Sequence, residues 1–305
     1  MKPRLRFAHL PTPIEPLPRL SAVLKGPTLL TKRDDQTGLA FGGNKTRKLE
    51  YLMYAAQEAG ADTLITAGAV QSNHCRQTVA AAARFGMACI LVLFGDPPHP
   101  PDGNHLLHHL LGAEVVFTER ERVKQKLEEV YEGTLSAGKH PYLIPYGGSN
   151  PTGALGYVNA MLELAEQGVD PDWIVFPTSS GGTQAGMLVG AHISGYRGKI
   201  LGISVDEPAD ELRARVADLA MQTANFIGNQ GSFSARDVLV NDDYIGRGYA
   251  VMGSAEVEAI RLFAAYEALL VDPVYTGRAG AGLIDLIRQG FFKTDETVLF
   301  WHTGG

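Results

Sequence analysis

Cysteine is scarce in this chain: two residues in 305, Cys75 and Cys89. Both sit in apolar, regular stretches. A pair this sparse builds no disulfide framework, so the expected compartment is a reducing one. Long apolar runs are missing too. No stretch approaches the roughly 18 apolar residues of a spanning helix. The first ten residues, Met1 to Leu10, carry basic side chains without the apolar core of a signal peptide. A cytoplasmic protein is the resulting expectation. Basic tracts are absent and the net charge is -6, which disfavours nucleic acid or an acidic membrane as a partner. There is no low-complexity segment and no repeat of fixed period.

What remains is ordinary globular material. Hydrophobic residues make up 45% and charged residues 20%, which argues against global disorder. At 305 residues the chain is longer than most single cores and fits two domains of about 150 residues.

The segment Pro3 to Pro27 holds six of the 17 prolines and reads as an extended arm, neither strand nor helix. Thr28 to Lys32 is a short apolar strand. A polar turn, Asp34 to Gly38, then leads to Gly42-Gly43-Asn44. From there helices and strands alternate. Helices are expected over Lys45–Glu58, Asn73–Phe85, Gly103–Leu111 and Glu119–Ala137. Strands are expected over Thr63–Ala67, Ala88–Phe94, Glu114–Phe117 and Tyr142–Pro145. After the loop Gly147 to Pro151 the pattern restarts: helix Gly153–Glu166, strand Trp173–Pro177, helix Thr183–Ser194, strand Ile200–Val205. The region Gln222 to Arg247 is polar and weakly periodic. Helices Ala255–Leu269 and Gly280–Gln289 and strand Thr297–Trp301 close the chain. Strands separated by helices of this length imply parallel βαβ units. Such sheets bind ligands beyond the carboxyl ends of their strands.

Two junctions carry chemistry. Strand Trp173–Pro177 runs into Thr178-Ser179-Ser180-Gly181-Gly182-Thr183, where a helix begins. Small residues admit a ligand close to the backbone, and the free N–H groups of a helix start attract an anion. The loop lacks the Gly-Lys-Ser/Thr ending of a triphosphate loop, so a single phosphate monoester suits it better. An ordinary tight turn is the plainer alternative. The second junction holds Lys45. With Arg47 and Lys48 it places three cations in the first turn of a helix, against the macrodipole. A broken local rule in a glycine-rich stretch suggests a functional site. The helix start and neighbouring cations favour the neutral amine, which can attack an aldehyde and act as a base. The alternative is a solvated basic turn.

Other loops add weaker signals. Gly68 to His74 follows a strand and can hold a carboxylate through backbone N–H groups and the Ser72 hydroxyl; Asn73 equally suits a helix cap. Asp272 to Gly277 and His302 to Gly305 each place hydroxyls after an apolar run. His105 and His109 share a helical face, but no Glu, Cys or third ligand accompanies them, so no metal site is expected and a solvated face is the reading.

Together the pieces resemble the pyridoxal-phosphate (PLP) enzymes of the tryptophan-synthase-β type, fold type II. Within these they are similar to the D-cysteine desulfhydrase and 1-aminocyclopropane-1-carboxylate (ACC) deaminase family. The matching stretches are Lys32-Arg33-Asp34-Asp35 with Gly38; Gly42 to Glu50; Gln71-Ser72-Asn73-His74; Gly147 to Pro151; Ser180-Gly181-Gly182-Thr183; Asp272 to Gly277; and His302 to Gly305. Seven ordered matches span nearly the whole chain. The resemblance implies an α/β fold of two open, mostly parallel three-layer domains with the cofactor in the cleft between them. It implies a large domain, residues 1–47 plus 158–305, and a small domain, 48–157. It makes Lys45 the Schiff-base lysine. Asn73 becomes the partner of the cofactor's ring hydroxyl, Ser180, Gly181, Gly182 and Thr183 the phosphate loop, and Thr303 the group near the pyridine nitrogen. Ser72, Tyr249 and Tyr275 join Lys45 as catalytic residues; Gln71, Ser72, Asn73 and Thr276 bind substrate. A small amino acid is the implied substrate and a homodimer the implied assembly.

The reaction that the resemblance implies turns on two positions. A neutral hydroxyl at Thr303 leaves the ring a weaker electron sink than a carboxylate would. The deaminase branch has Glu after the matching tyrosine and Leu in the final His-x-Gly-Gly motif; here stand Thr276 and Thr303. β-Elimination is therefore expected, with D-cysteine giving sulfide, pyruvate and ammonia. The alternatives are ACC deamination, another lyase reaction on the scaffold (D-serine, β-chloroalanine or L-cysteate), or a non-catalytic protein binding PLP or a phosphorylated ligand. Relatives continue for a short segment past the point matching Gly305, which points to a truncated chain.

Overall fold

A computed structural model describes residues 2–305. The alternation of apolar and amphipathic stretches resolves into β1 (Ile14–Pro16), α1 (Pro18–Leu24), β2 (Thr28–Arg33), α2 (Asn44–Glu58), β3 (Thr63–Ala69), α3 (Asn73–Arg84), β4 (Ala88–Phe94), α4 (Gly103–Leu110), β5 (Glu114–Thr118), α5 (Val123–Ser136), β6 (Pro141–Leu143), α6 (Pro151–Glu166), β7 (Trp173–Thr178), α7 (Gly182–Ser194), β8 (Lys199–Ser204), α8 (Ala209–Phe226), β9 (Leu239–Asn241), α9 (Ser254–Glu267), α10 (Thr276–Arg288) and β10 (Thr297–His302).

The strands sort into two sheets. One has the order β1-β2-β10-β7-β8-β9; the other is β5-β4-β3-β6. Every pairing is parallel except β1 on β2. The mostly parallel α/β expectation is met. Parallel sheets need helices on their faces, and strands covered on both sides lose their polar alternation. β7 shows this: all six residues, Trp173 to Thr178, are buried. β10 shows the two faces. Val298 and Phe300 pack with Leu20, Phe263 and Ile284, from α1, α9 and α10. Leu299 and Trp301 pack with Tyr157, Met161 and Met187, from α6 and α7. In the smaller sheet, Leu64, Leu91 and Leu93 pack against Leu49, Leu52 and Met53 of α2 and Val79 of α3. Each such side chain contributes roughly 1.5–3 kcal/mol on burial.

Four sequence expectations are corrected. The proline-rich arm is partly ordered. Ile14–Pro16 adds an edge strand, which tolerates proline, and Pro18 opens α1, where a missing N–H costs nothing. Residues 209–226 form the 18-residue α8, so the unread region begins inside a helix whose apolar side, including Leu212, Val216 and Ala220, joins the core. The helix expected over Glu119–Ala137 starts with a 3-10 turn at Arg120–Arg122, and the α-helix begins at Val123. The histidines of α4 do not form a solvated face. His105 and His108 are buried and only His109 is exposed, so burial holds the His108 imidazole down to about 4. Among the described residues no cluster of three or more His, Cys, Asp or Glu is placed to hold a metal.

Candidate active site

Parallel strands bring their carboxyl ends to one side. The loops after β3, β7 and β10 meet there with the start of α2. They line one narrow cleft. Lys45, Ser72, Asn73, Ser180, Gly181, Thr183, Tyr275 and Thr303 all line it. A second hollow opens beyond it, lined by Gln71, Tyr249 and Asp272; Asn73, Tyr275 and Gly305 line both.

The start of α2 is tied down by other segments. Gly43 N–H donates to the Asp34 carbonyl (2.9 Å) and to Thr37 Oγ1 (2.8 Å). Asn44 N–H donates to the Thr303 carbonyl (2.8 Å), which joins the helix start to the end of β10. The three cations of the first turn then separate. Arg47 is buried and donates to Asp34 Oδ1 (2.8 Å) and Glu163 Oε2 (2.8 Å); Lys32 completes the cluster with a 2.6 Å bond to Glu163 Oε1. Lys45 Nζ and Lys48 Nζ both donate to the Gly147 carbonyl, at 3.3 and 3.1 Å. No carboxylate pairs with Lys45 among the described residues. Its ammonium pKa is lowered to about 8. The cause is burial; the charges expected to lower it do not lead. Arg47 spends its charge on carboxylates, and Lys48 is itself held well below the usual lysine range by burial and then by Lys45. Loss of hydration penalises the ammonium and leaves the amine available.

The loop after β7 is built for an anion. Gly181 caps α7 in the left-handed region (φ 86°) and has no side chain to cap it; at the helix start Gly182 N–H donates to Ser149 Oγ (3.2 Å). A Cβ on Gly182 would lie 2.6 Å from Ser149 Oγ and 2.9 Å from Ser149 Cα, so only glycine admits this approach. Ser180 Oγ and Ser149 Oγ are 2.8 Å apart. Asn44 Nδ2 donates to Thr183 Oγ1 (3.1 Å). The amides of the first helical turn have no intrahelical carbonyl to bond. A phosphate monoester fits this donor set, and an aldehyde reaches the Lys45 amine in the same cleft. The residues present therefore fit pyridoxal phosphate.

On the opposite wall, Ser72 caps α3: its hydroxyl accepts from Cys75 N–H (3.2 Å). The cap is Ser72 and not Asn73, so the hydroxyl hydrogen of Ser72 and the Nδ2 of Asn73 remain for the cleft. Tyr249 and Tyr275 share a hydroxyl–hydroxyl bond of 2.7 Å. Burial raises the pKa of both phenols, which keeps them neutral donors. Asp272 fixes Tyr275 by accepting from the N–H groups of Val274, Tyr275 and Thr276 at 2.6–2.9 Å. Thr276 is the residue the structure leaves out. It is fully buried and its hydroxyl donates to Asp272 Oδ1 (2.7 Å), so it lines neither hollow and holds the turn in place of substrate. Gln71 is exposed, and its carboxamide joins Asp102 and Asn104 at the start of α4.

Sequence reasoning passed over Tyr146, Ser149 and His74 as functional residues. Ser149 and Tyr146 belong to the glycine-rich loop after β6, which read as a boundary. His74 is buried on the cleft wall. Thr66 Oγ1 donates to the Ile144 carbonyl (2.8 Å), so His74 Nε2 donates to Thr66 (2.9 Å) and Nδ1 is left as an unpartnered acceptor. Burial, followed by Lys45 and Lys48, holds the imidazole well below its usual range.

Fold and cleft define an enzyme of the PLP-dependent α/β class, and the comparisons agree. The profile of the family described as pyridoxal-phosphate dependent enzyme matches residues 5–304, and the chain belongs to that family. It is 42% identical to D-cysteine desulfhydrase of Klebsiella pneumoniae (strain 342), over 99% of this chain and 94% of that protein. It is similar to the solved structure of an ACC deaminase homologue, with a TM-score of 0.91 and 37% identity, covering 99% of this chain and 91% of the other. A PLP-dependent aspartate racemase shares the fold at a TM-score of 0.71 and 20% identity, covering 96% and 90%.

Proposed function

We propose that this chain is a carbon–sulfur lyase that converts D-cysteine to sulfide, pyruvate and ammonia. The observation that carries the reading is Lys45. It is an amine without a carboxylate partner, with its pKa lowered to about 8 by burial, in the same cleft as an anion-binding helix start. The near-full-length identity to a D-cysteine desulfhydrase supports the choice of substrate.

Lys45 Nζ would hold the cofactor covalently. The Ser180–Thr183 loop would hold its phosphate, Asn73 its ring hydroxyl, and Thr303 would sit by its ring nitrogen. Pyridoxal phosphate, when bound, supplies an electron sink for negative charge developing at the substrate Cα. The protein's own groups do the rest. Ser72 Oγ–H and Asn73 orient the substrate carboxylate. Once released from its covalent role, Lys45 Nζ takes the Cα proton as a neutral base. The Cβ–S bond breaks, and the Tyr249–Tyr275 pair, neutral through burial, gives a proton to the departing sulfur. Water hydrolyses the released enamine to pyruvate and ammonia. Gln71 shapes the outer rim.

The strand sorting supports a large domain of residues 1–47 plus 158–305 and a small one of 48–157, with α6 crossing the second boundary. The resemblance to relatives supports a homodimer in the cytoplasm; no helix is long and apolar enough to cross a membrane among the described residues. Product assays on purified protein with D-cysteine, L-cysteine and ACC test the reading. Sulfide with pyruvate from D-cysteine, abolished by Lys45→Ala, is expected. 2-Oxobutyrate from ACC as the main product, or full activity in Lys45→Ala, overturns it.

A further inference from the structure

Behind Asn73 lies a polar network in which no carboxylate bonds to Arg76. Arg76 is buried at 3% exposure, and no carboxylate lies within ion-pair distance of it among the described residues. Its Nη1 donates to Asn73 Oδ1 (3.0 Å) and to Asn104 Oδ1 (2.8 Å), and its Nη2 to the Gly42 carbonyl (3.4 Å). The Phe41 ring lies 6.0 Å from the guanidinium, and Nε has no partner. Asn104 Nδ2 donates to the Gln71 carbonyl (2.8 Å) and to Asn73 Oδ1 (2.8 Å).

These bonds fix every amide orientation. A guanidinium only donates, so both amide oxygens must face Arg76. A backbone carbonyl only accepts, so Asn104 must turn its NH₂ to Gln71. Asn104 then has one orientation and Asn73 has one: its oxygen is turned away, toward two donors, and its Nδ2 is the edge left for the cleft. An asparagine at a helix start can ordinarily offer either end. Here it can only donate.

We propose that Arg76 and Asn104 are positioning residues that lock Asn73 as a hydrogen-bond donor and place an uncompensated buried cation behind it, so that the acceptor Asn73 meets in the cleft is favoured in its anionic form. The inference rests on the reading that Lys45 carries pyridoxal phosphate; the acceptor is then the cofactor's ring oxygen. Charge on that oxygen is stabilised twice, by the donated N–H and by the guanidinium behind it. Asp272 is the opposing charge that acts on Arg76, less strongly than burial does, and it is occupied by the amides of the 274–276 turn.

The test reads absorbance of the loaded protein at one pH. The deprotonated-oxygen form absorbs in the visible and the protonated form in the near ultraviolet. Arg76→Gln, Arg76→Lys and Asn104→Ala are compared with the unaltered protein. The Lys45 adduct of each is trapped with borohydride and counted by peptide mass. At equal adduct occupancy, Arg76→Gln should move the ratio toward the near-ultraviolet form by about tenfold, one pKa unit, the lower end of what a nearby opposite charge does. Asn104→Ala should move it in the same direction by less, and Arg76→Lys should restore most of it. Asn104 is half-buried, so its variant keeps the test alive should an Arg76 variant fail to fold. Ratios equal to the unaltered protein in every folded variant, with the adduct present, overturn the inference alone. No adduct on Lys45 in the unaltered protein overturns the functional reading and this inference with it.

Discussion

The state of the Lys45 amine can be perturbed by pH alone, and the size of the effect follows from its surroundings. A free lysine has a pKa near 10.4, so about 0.04% of it is neutral at pH 7. Burial brings the Lys45 ammonium down to about 8. At that value about 9% is neutral at pH 7, roughly 200-fold more. The sign is fixed by the cause: lost hydration penalises the charged form, so the amine appears at lower pH and its population rises until pH passes about 8. The assay is the initial rate at which cofactor-free protein forms a covalent adduct with added pyridoxal phosphate. The adduct is trapped with borohydride at intervals from pH 7 to 10 and mapped to Lys45. The rate should rise about fivefold between pH 7 and 8 and level off above it. A rate that keeps climbing tenfold per unit past pH 9 would show an ordinary solvated lysine and refute the argument from burial. Lys48→Met should leave the Lys45 value near 8, because burial sets it and Lys48 is itself held well below the usual lysine range; a clear upward movement would show that Lys48 holds charge beside it.

Four further outcomes follow from the packing. Asp34→Asn leaves Lys32 and Arg47 with only Glu163, a buried cluster with unbalanced charge, at a cost of about 3–5 kcal/mol. At about 2.1 cal/mol/K of unfolding entropy per residue, that lowers the midpoint of thermal unfolding by roughly 5–8 °C; calorimetry showing a fall below about 2 °C contradicts it. Acid should weaken the same cluster. Burial alone would raise the Asp34 carboxyl, but Arg47 outweighs it and leaves it below the usual range, so its stabilisation is present at neutral pH and is lost as pH falls through that lowered value. Gly182→Ala should weaken pyridoxal phosphate binding about tenfold or more by equilibrium titration while the protein stays folded, since the new methyl meets Ser149 backbone; unchanged affinity would place the phosphate elsewhere. Tyr275→Phe should cut turnover by about a hundredfold or more while the Lys45 adduct forms as before; a loss of adduct formation instead would make Tyr275 structural.

The sequence made the βαβ alternation and the glycine-bearing junctions legible because both are local. Apolar runs mark β3, β4, β7 and β10, and small residues follow them where a ligand must approach. It did not make long-range pairings legible. Asp34, Arg47 and Glu163 stand far apart in the chain, so Arg47 read as one of three basic residues in a turn, and only the fold shows it paired. Thr276 failed for the opposite reason. It sits beside an active-site tyrosine in sequence, but the turn rotates it inward to Asp272. The helix α8 is hard to read because its apolar side is largely alanine among charges, a weak periodic signal until packing fills it. Ser72 and Asn73 were weighed as cap against ligand; the bond from Cys75 N–H makes Ser72 the cap and leaves Asn73 for the cleft.

The most direct measurement is a crystal structure of the protein grown with pyridoxal phosphate. Continuous density from Lys45 Nζ to the cofactor, with the phosphate against the Ser180–Thr183 amides and the ring oxygen facing Asn73 Nδ2, is the expected result. A cofactor joined to another lysine, or a phosphate held away from the start of α7, would contradict the account.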